Sequence, residues 1–299
     1  MTGTGPSGSP GWRVRAARAA EFARRRLAGE FQVDQFGFDP ELNSAVLMPA
    51  ALALYRSWFR VQARGLASIP DSGPALIVAN HSGVLPLDAI MLQAAVFAEH
   101  SAGRNLRLLG ADLVYTLPLL SSLARRSGHT RAAPGEALRL LAAGELVGVF
   151  PEGFKGTGKP FSDRYQLQRF GRGGFARIAL QAGVPIIPCA IVGAEEIYPM
   201  LGNSPALARA LRLPYFPLTP LFPWLGPVGA VPLPSNWIIE FCEAVPTRGP
   251  VLDGIGPDGV GPTAGAPDEE LVADLADRVR DTIQAKLDEL VVARGPAFG

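Results

Sequence analysis

Apolar residues along this chain fall into two rhythms. The first is the short unbroken run: Ala75 to Ala79, opened by Pro74 and closed by Asn80; Leu146 to Phe150, ended by Pro151; and Pro185 to Gly193. Runs this short, with no polar interruption, are the pattern of strands buried on both faces of a parallel sheet. Arg104 to Gly110 is a less regular run of the same kind, and Trp237 to Val245 returns to strand-like character. The second rhythm is helical. Pro86 to Ala98 opens on a proline, which the first helical turn tolerates, and Pro134 to Ala143 and Gly174 to Ala182 are helical in composition. Near the end, Val272, Leu275, Val279, Ile283, Leu287 and Leu290 step by 3, 4, 4, 4 and 3, one face of a helix opened by Asp268. Strands alternating with helices predict βαβ units, hence an α/β fold with a largely parallel central sheet flanked by helices.

The flanks differ in texture. Residues 41–64 read as an interrupted amphipathic helix, apolar first and studded with Arg later, and Leu113 to Leu123 is an apolar segment without a clear period. Residues 201–236 interleave Pro214, Pro217, Pro220, Pro223, Pro227, Pro232 and Pro234 with Phe216, Phe222 and Trp224. So many prolines forbid a regular helix, and so much apolar surface forbids a solvated linker, so this segment is expected to cover the core, a lipid chain or a bilayer interface. The expected organisation is a basic, partly disordered lead (1–30), an amphipathic helical membrane-contact segment (31–64), the α/β domain (65–248), a Gly/Pro linker (249–267) and a C-terminal helix (268–294).

Composition narrows the partners. Across 299 residues the formal charge is only +1, which argues against nucleic acid, whose recognition needs a basic excess. The lead is the exception: six Arg (Arg13, Arg15, Arg18, Arg24, Arg25, Arg26) face only Glu21 and Glu30, which suits an anionic membrane surface or a solvated tail. The mean hydropathy of +0.18 is high for a freely soluble enzyme and points to peripheral membrane contact. No run approaches the roughly 20 apolar residues of a membrane span, and the opening lacks the apolar core of a signal peptide. Cys189 and Cys242 lie in apolar runs, as small buried hydrophobes rather than a disulfide, so a reducing compartment is expected.

In parallel sheets ligands collect at the carboxyl ends of strands. His81 follows one predicted strand and Glu152 another, so both are delivered to one edge. Asp88, past Gly83 and Pro86, is close enough in sequence to fold back and orient the His81 imidazole as a base. Metal ligation is a poor rival: His81, His100 and His129 are the only histidines, without His-x3-His or paired-Cys spacing. Gly153 to Lys159 nearly spells a phosphate loop, but Pro160 stands where the Mg²⁺-binding hydroxyl belongs. No G-x-S-x-G nucleophile elbow occurs.

Three blocks in order, Asn80-His81 with Asp88, Phe150-Pro151-Glu152-Gly153, and Val184-Pro185-Ile186-Ile187-Pro188, resemble the glycerolipid and lysophospholipid acyltransferase superfamily, over residues 65–200. That superfamily includes phosphatidate-forming enzymes (1-acylglycerol-3-phosphate acyltransferases) and a mono/diacylglycerol branch. The family spacing is His-x4-Asp; this chain has six intervening residues, with Pro86 where the Asp would stand, so a longer loop must return Asp88 to His81. Gly128-His129-Thr130-Arg131 is the looser match to the family's second block.

The resemblance implies acyl transfer from acyl-CoA or an acyl carrier protein to a glycerolipid hydroxyl on the cytoplasmic side of a membrane, with no cofactor and no metal. His81 would be the general base and Asp88 its partner. Asn80, Ser82 and Gly83 would line the site, with backbone N–H groups at Ser82 and Gly83 or at the start of the following helix facing the oxyanion. Glu152 and Gly153 would shape the acceptor pocket, Arg131 would hold the acceptor headgroup, and Lys155, Lys159 and Arg172 would anchor phosphates. The alternatives are a non-catalytic lipid-binding protein on the same scaffold and a phosphate-loop-like nucleotide binder.

Overall fold

The computed structural model describes residues 12–83, 85–116, 118–247 and 267–298. The Gly/Pro linker lies outside these residues except for its last, as do the first eleven residues of the lead. Among the described residues there are nine strands: β1 (Gln62–Arg64), β2 (Ala75–Ala79), β3 (Leu106–Gly110), β4 (His129–Arg131), β5 (Leu146–Val149), β6 (Ile186–Val192), β7 (Gly202–Asn203), β8 (Pro217–Leu218) and β9 (Ile238–Phe241). Seven of them form one sheet in the order β1-β9-β6-β2-β5-β3-β4. β4, β3, β5, β2 and β6 run parallel, whereas β9 pairs antiparallel with β6 and parallel with β1.

The unbroken apolar runs form the middle of this sheet because both of its faces are covered. Along β2, Ala75, Ile77 and Ala79 join one core, with Met91 and Leu92 of the helix Leu87–Glu99 and with Met48, Tyr55 and Phe59. Leu76 and Val78 point the other way, into a second core with the helices Pro134–Ala142, Gly174–Ala182 and Glu269–Arg294. The predicted stripe of the last helix is its buried face: Val272, Leu275, Val279, Ile283, Leu287 and Leu290 are all covered. Each such burial contributes about 1.5–3 kcal/mol.

Two flanking readings change. The helical stretch beginning at Pro40 ends at Trp58 rather than continuing to residue 64, because Arg60 takes a positive φ of 44° and turns the chain into edge strand β1. The Pro-rich segment folds as the small β7–β8 hairpin enclosing the helix Pro205–Leu211, then a turn of 3₁₀ helix at Gly226–Ala230. At the N-terminal end, the helix Trp12–Leu27 places Arg24 beside Glu21 (2.7 Å), Arg25 beside Glu41, and Arg26 against Asp39 and Glu41. Three of the six lead arginines are thereby engaged by carboxylates. No helix among the described residues is long and apolar enough to cross a membrane.

Candidate active site

β2 ends at Ala79, and the next residue is a clamp. Asn80 is fully buried; its amide donates to the Ile191 carbonyl (2.9 Å) and accepts from the Ile191 N–H (2.7 Å), joining the ends of β2 and β6. Asn80, expected from sequence to line the substrate site, is instead the strut on which the following histidine stands.

His81 projects from that strut with its side chain 15% exposed and its ring stacked on Phe150, centroids 4.5 Å apart. Its Nδ1 lies 2.7 Å from Asp88 Oδ2. The longer loop thus does return the carboxylate to the imidazole. Asp88 sits in the first turn of the helix Leu87–Glu99, where the helix dipole favours an anion. Its Oδ2 also accepts the Ser82 N–H (2.8 Å) and its Oδ1 accepts the Ala89 N–H (2.8 Å). A carboxylate offers only acceptors, so Nδ1 donates to it and Nε2 keeps the free lone pair. That is the tautomer a general base requires.

The Ser82 N–H is committed to Asp88 and is not an oxyanion donor, which corrects one expectation. The Ser82 hydroxyl, by contrast, is buried without a hydrogen-bond partner. Gly83 has φ +83°, and a side chain there would press on the carbonyls of Leu85 and Ala194.

Glu152 is also reassigned. Its carboxylate is buried and accepts the His81 N–H (2.9 Å) on one oxygen and the Gln168 N–H (2.7 Å) on the other. It braces the backbone of the base instead of facing an acceptor. Burial raises its pKa, with Lys159 and the two N–H groups opposing that rise. Lys159 is equally buried, 3.1 Å from Glu195 Oε1 and 3.8 Å from Glu152 Oε2, so it is held between these two acidic side chains and is not a phosphate anchor. The cavity beside it, bounded by Gly83, Gly156, Glu195 and Tyr198, measures only about 10 Å³.

The phosphate-loop alternative falls on the same geometry. Gly153, with φ +53°, starts a short helix, Phe154–Thr157, in which the N–H groups of Lys155, Gly156, Thr157, Gly158 and Lys159 all donate to local carbonyls. Amides turned into a helix cannot cradle a phosphate. The short helix rests directly on the His81 loop: a Cβ on Gly156 would lie 2.6 Å from the His81 carbonyl oxygen.

The remaining predicted anchors divide. Lys155 and Arg172 are exposed and make no ion pair among the described residues. Arg131 ends β4 at the same sheet edge as His81, but three strands from β2, about 14 Å at ordinary strand spacing, and its Nε is 2.8 Å from Asp112. The structure does not bring it to the base.

Sequence reasoning missed the buried acidic pair at the end of β6. Glu195 accepts the Tyr165 N–H (3.0 Å), and burial pushes its pKa up to about 7. Glu196 accepts from the Tyr165 hydroxyl and pairs with Arg294 (2.7 Å), pinning the C-terminal helix to the site's floor. The available signal was position, since both follow Gly193 at a strand's carboxyl end.

Comparison with known proteins agrees with this geometry. The family model described as Acyltransferase matches residues 60–192. An uncharacterised protein of Mycobacterium tuberculosis is 52% identical over 282 residues, covering 94% of this chain and 76% of its own length. The human "DGAT1/2-independent enzyme synthesizing storage lipids" is 28% identical over 169 residues, 56% of this chain and 51% of its own. Among solved structures, the 1-acyl-sn-glycerophosphate (LPA) acyltransferase PlsC of Thermotoga maritima has the same fold, with a TM-score of 0.55 at 18% identity over 91% of this chain and 88% of that one.

Proposed function

Because the chain belongs to the glycerolipid and lysophospholipid acyltransferase superfamily, we propose that His81 and Asp88 carry out acyl transfer to a glycerolipid hydroxyl at the mouth of this sheet. The observation that carries the reading is the 2.7 Å contact that leaves Nε2 as a base on a partly open imidazole.

In the proposed reaction Nε2 takes the acceptor's hydroxyl proton while the oxygen attacks the thioester carbonyl of acyl-CoA or an acyl carrier protein. The Gly83 N–H, on the same loop, is the donor proposed for the resulting oxyanion. Asp88 stabilises the imidazolium, which returns its proton to the departing thiolate as the C–S bond breaks. Lys155 and Arg172, the uncommitted basic groups, suit phosphates of the donor or acceptor. The acceptor class is a lysophospholipid, a monoacylglycerol or a diacylglycerol, and the setting is the cytoplasmic face of a membrane, held peripherally.

The test is incubation of the purified protein with labelled acyl-CoA and a panel of those acceptors. The wild type is expected to form labelled lipid, and His81→Ala to lose about 10²–10⁴ of the rate while remaining folded. Equal transfer by both proteins would overturn His81 as the base, and transfer by neither, with lipid binding intact, would leave a lipid-binding scaffold without catalysis.

A further inference from the structure

The segment between β6 and β9 carries an apolar surface for which the fold has no use. Trp224 is 73% exposed and Val228 64%, and Leu225, Val231, Leu207 and Leu211 of the same segment are exposed as well. Soluble surfaces rarely hold so many large apolar side chains in one place without a partner.

Charge says which partner. Between Glu196 and Glu240 there is no acidic residue, while Arg209 and Arg212 are present and exposed. The segment is tied to a second stretch of the same character. Trp58 Nε1 donates to the Pro232 carbonyl (3.0 Å), and Arg60 Nε to Asn236 (2.6 Å). Between Glu41 and Asp71 there is again no acidic residue, and Arg56, Arg60 and Arg64 are exposed. Two segments far apart in sequence, each apolar, arginine-bearing and without an acidic residue of its own, are thus joined side by side, which is the complement of an anionic bilayer rather than of a typical protein surface, where both charge signs mix.

The surface also adjoins the site. The Tyr198 hydroxyl donates to the Ala230 carbonyl (2.6 Å), Met200 accepts from the Phe161 N–H (2.9 Å), and Tyr198 and Met200 border the same small cavity as Gly83 and Gly156. We propose that the insert between β6 and β9 is a docking surface for an anionic phospholipid bilayer, seating the protein with the mouth of the His81 site at the headgroup layer. This rests on the acyl-transfer reading in one respect, that the site's acceptor is a lipid held in that layer.

The full-length chain is mixed with vesicles of phosphatidylcholine, with and without phosphatidylglycerol, and sedimented. Trp224→Ser combined with Val228→Ser, its fold checked by circular dichroism, is compared with Leu119→Ser combined with Leu123→Ser, two exposed leucines outside the insert. The expected result is preferential binding to the phosphatidylglycerol vesicles and about tenfold weaker binding by the insert variant alone. Its transfer rate to a short-chain, water-soluble acceptor should be unchanged. Wild-type binding by the insert variant, release only by the Leu119/Leu123 variant, or indifference to phosphatidylglycerol would each overturn the proposal. A wild type that binds in this way, yet transfers no acyl group, supports the docking surface and overturns only the acyl-transfer reading.

Discussion

Glu195 is buried and His129 half-buried, and desolvation moves them in opposite directions: the carboxyl up to about 7, the imidazole down to about 4. In the native state Glu195 holds a proton that the unfolded chain releases near its ordinary value of 4.5, so its contribution to stability falls as pH rises from about 4.5 to about 7. For His129 the unfolded chain gains a proton below 6.5 that the native state refuses, so stability is lost as pH falls from 6.5 toward about 4. The two slopes oppose each other where the windows overlap. Glu195→Gln removes one of them, and thermal melts of that variant should show stability rising from pH 4.5 to 6.5 more steeply than in the wild type. An unchanged profile would mean that Glu195 does not hold its proton through this range. At this scale the contact between His81 and Asp88 was legible in sequence, because the six residues between them, with Gly83 and Pro86, suffice to close a loop. Glu152 and Lys159 were misread because their burial depends on Glu195, 36 residues beyond the lysine and on another strand's end.

The short helix Phe154–Thr157 does its work through what it lacks. Gly156→Ala would drive a Cβ to within 2.6 Å of the His81 carbonyl and 2.9 Å of the Glu152 side chain, so either the helix or the His81 loop must shift. Displacing a base by about 1 Å lowers rate by about 10². Gly174→Ala, at the start of the helix Gly174–Ala182 with open space around its Cα, should instead leave activity intact and raise stability by about 0.4–1 kcal/mol. Steady-state kinetics with melting curves on the two variants checks both. The central strands and the long helices were readable because each buries a face with its own period. Strand β1 was not, because three residues alternating exposed and half-buried at a sheet edge carry too little pattern to outweigh the preceding helix. The two-residue strands of the hairpin are set by pairing with each other, which composition does not reveal.

Over the whole molecule a formal charge of +1 conceals its arrangement, with acid-free stretches on one side and a C-terminal helix rich in both signs on another. Attraction of the arginine-bearing side to an anionic surface is screened by salt, since the Debye length falls from about 10 Å at 0.1 M to about 3 Å at 1 M. Apolar insertion is not screened. Sedimentation with phosphatidylglycerol vesicles at these two ionic strengths should therefore show partial release; complete release would assign the contact to charge alone.

The way Asp88 is held bears on how relatives of this chain are found. Because Asn80 anchors one end of the His81–Asp88 loop and the opening turn of a helix anchors the other, the number of residues strung between them is free to drift without moving the imidazole. A search keyed to a fixed count between histidine and aspartate will pass over such chains, whereas one keyed to a strand end facing a helix start will gather them.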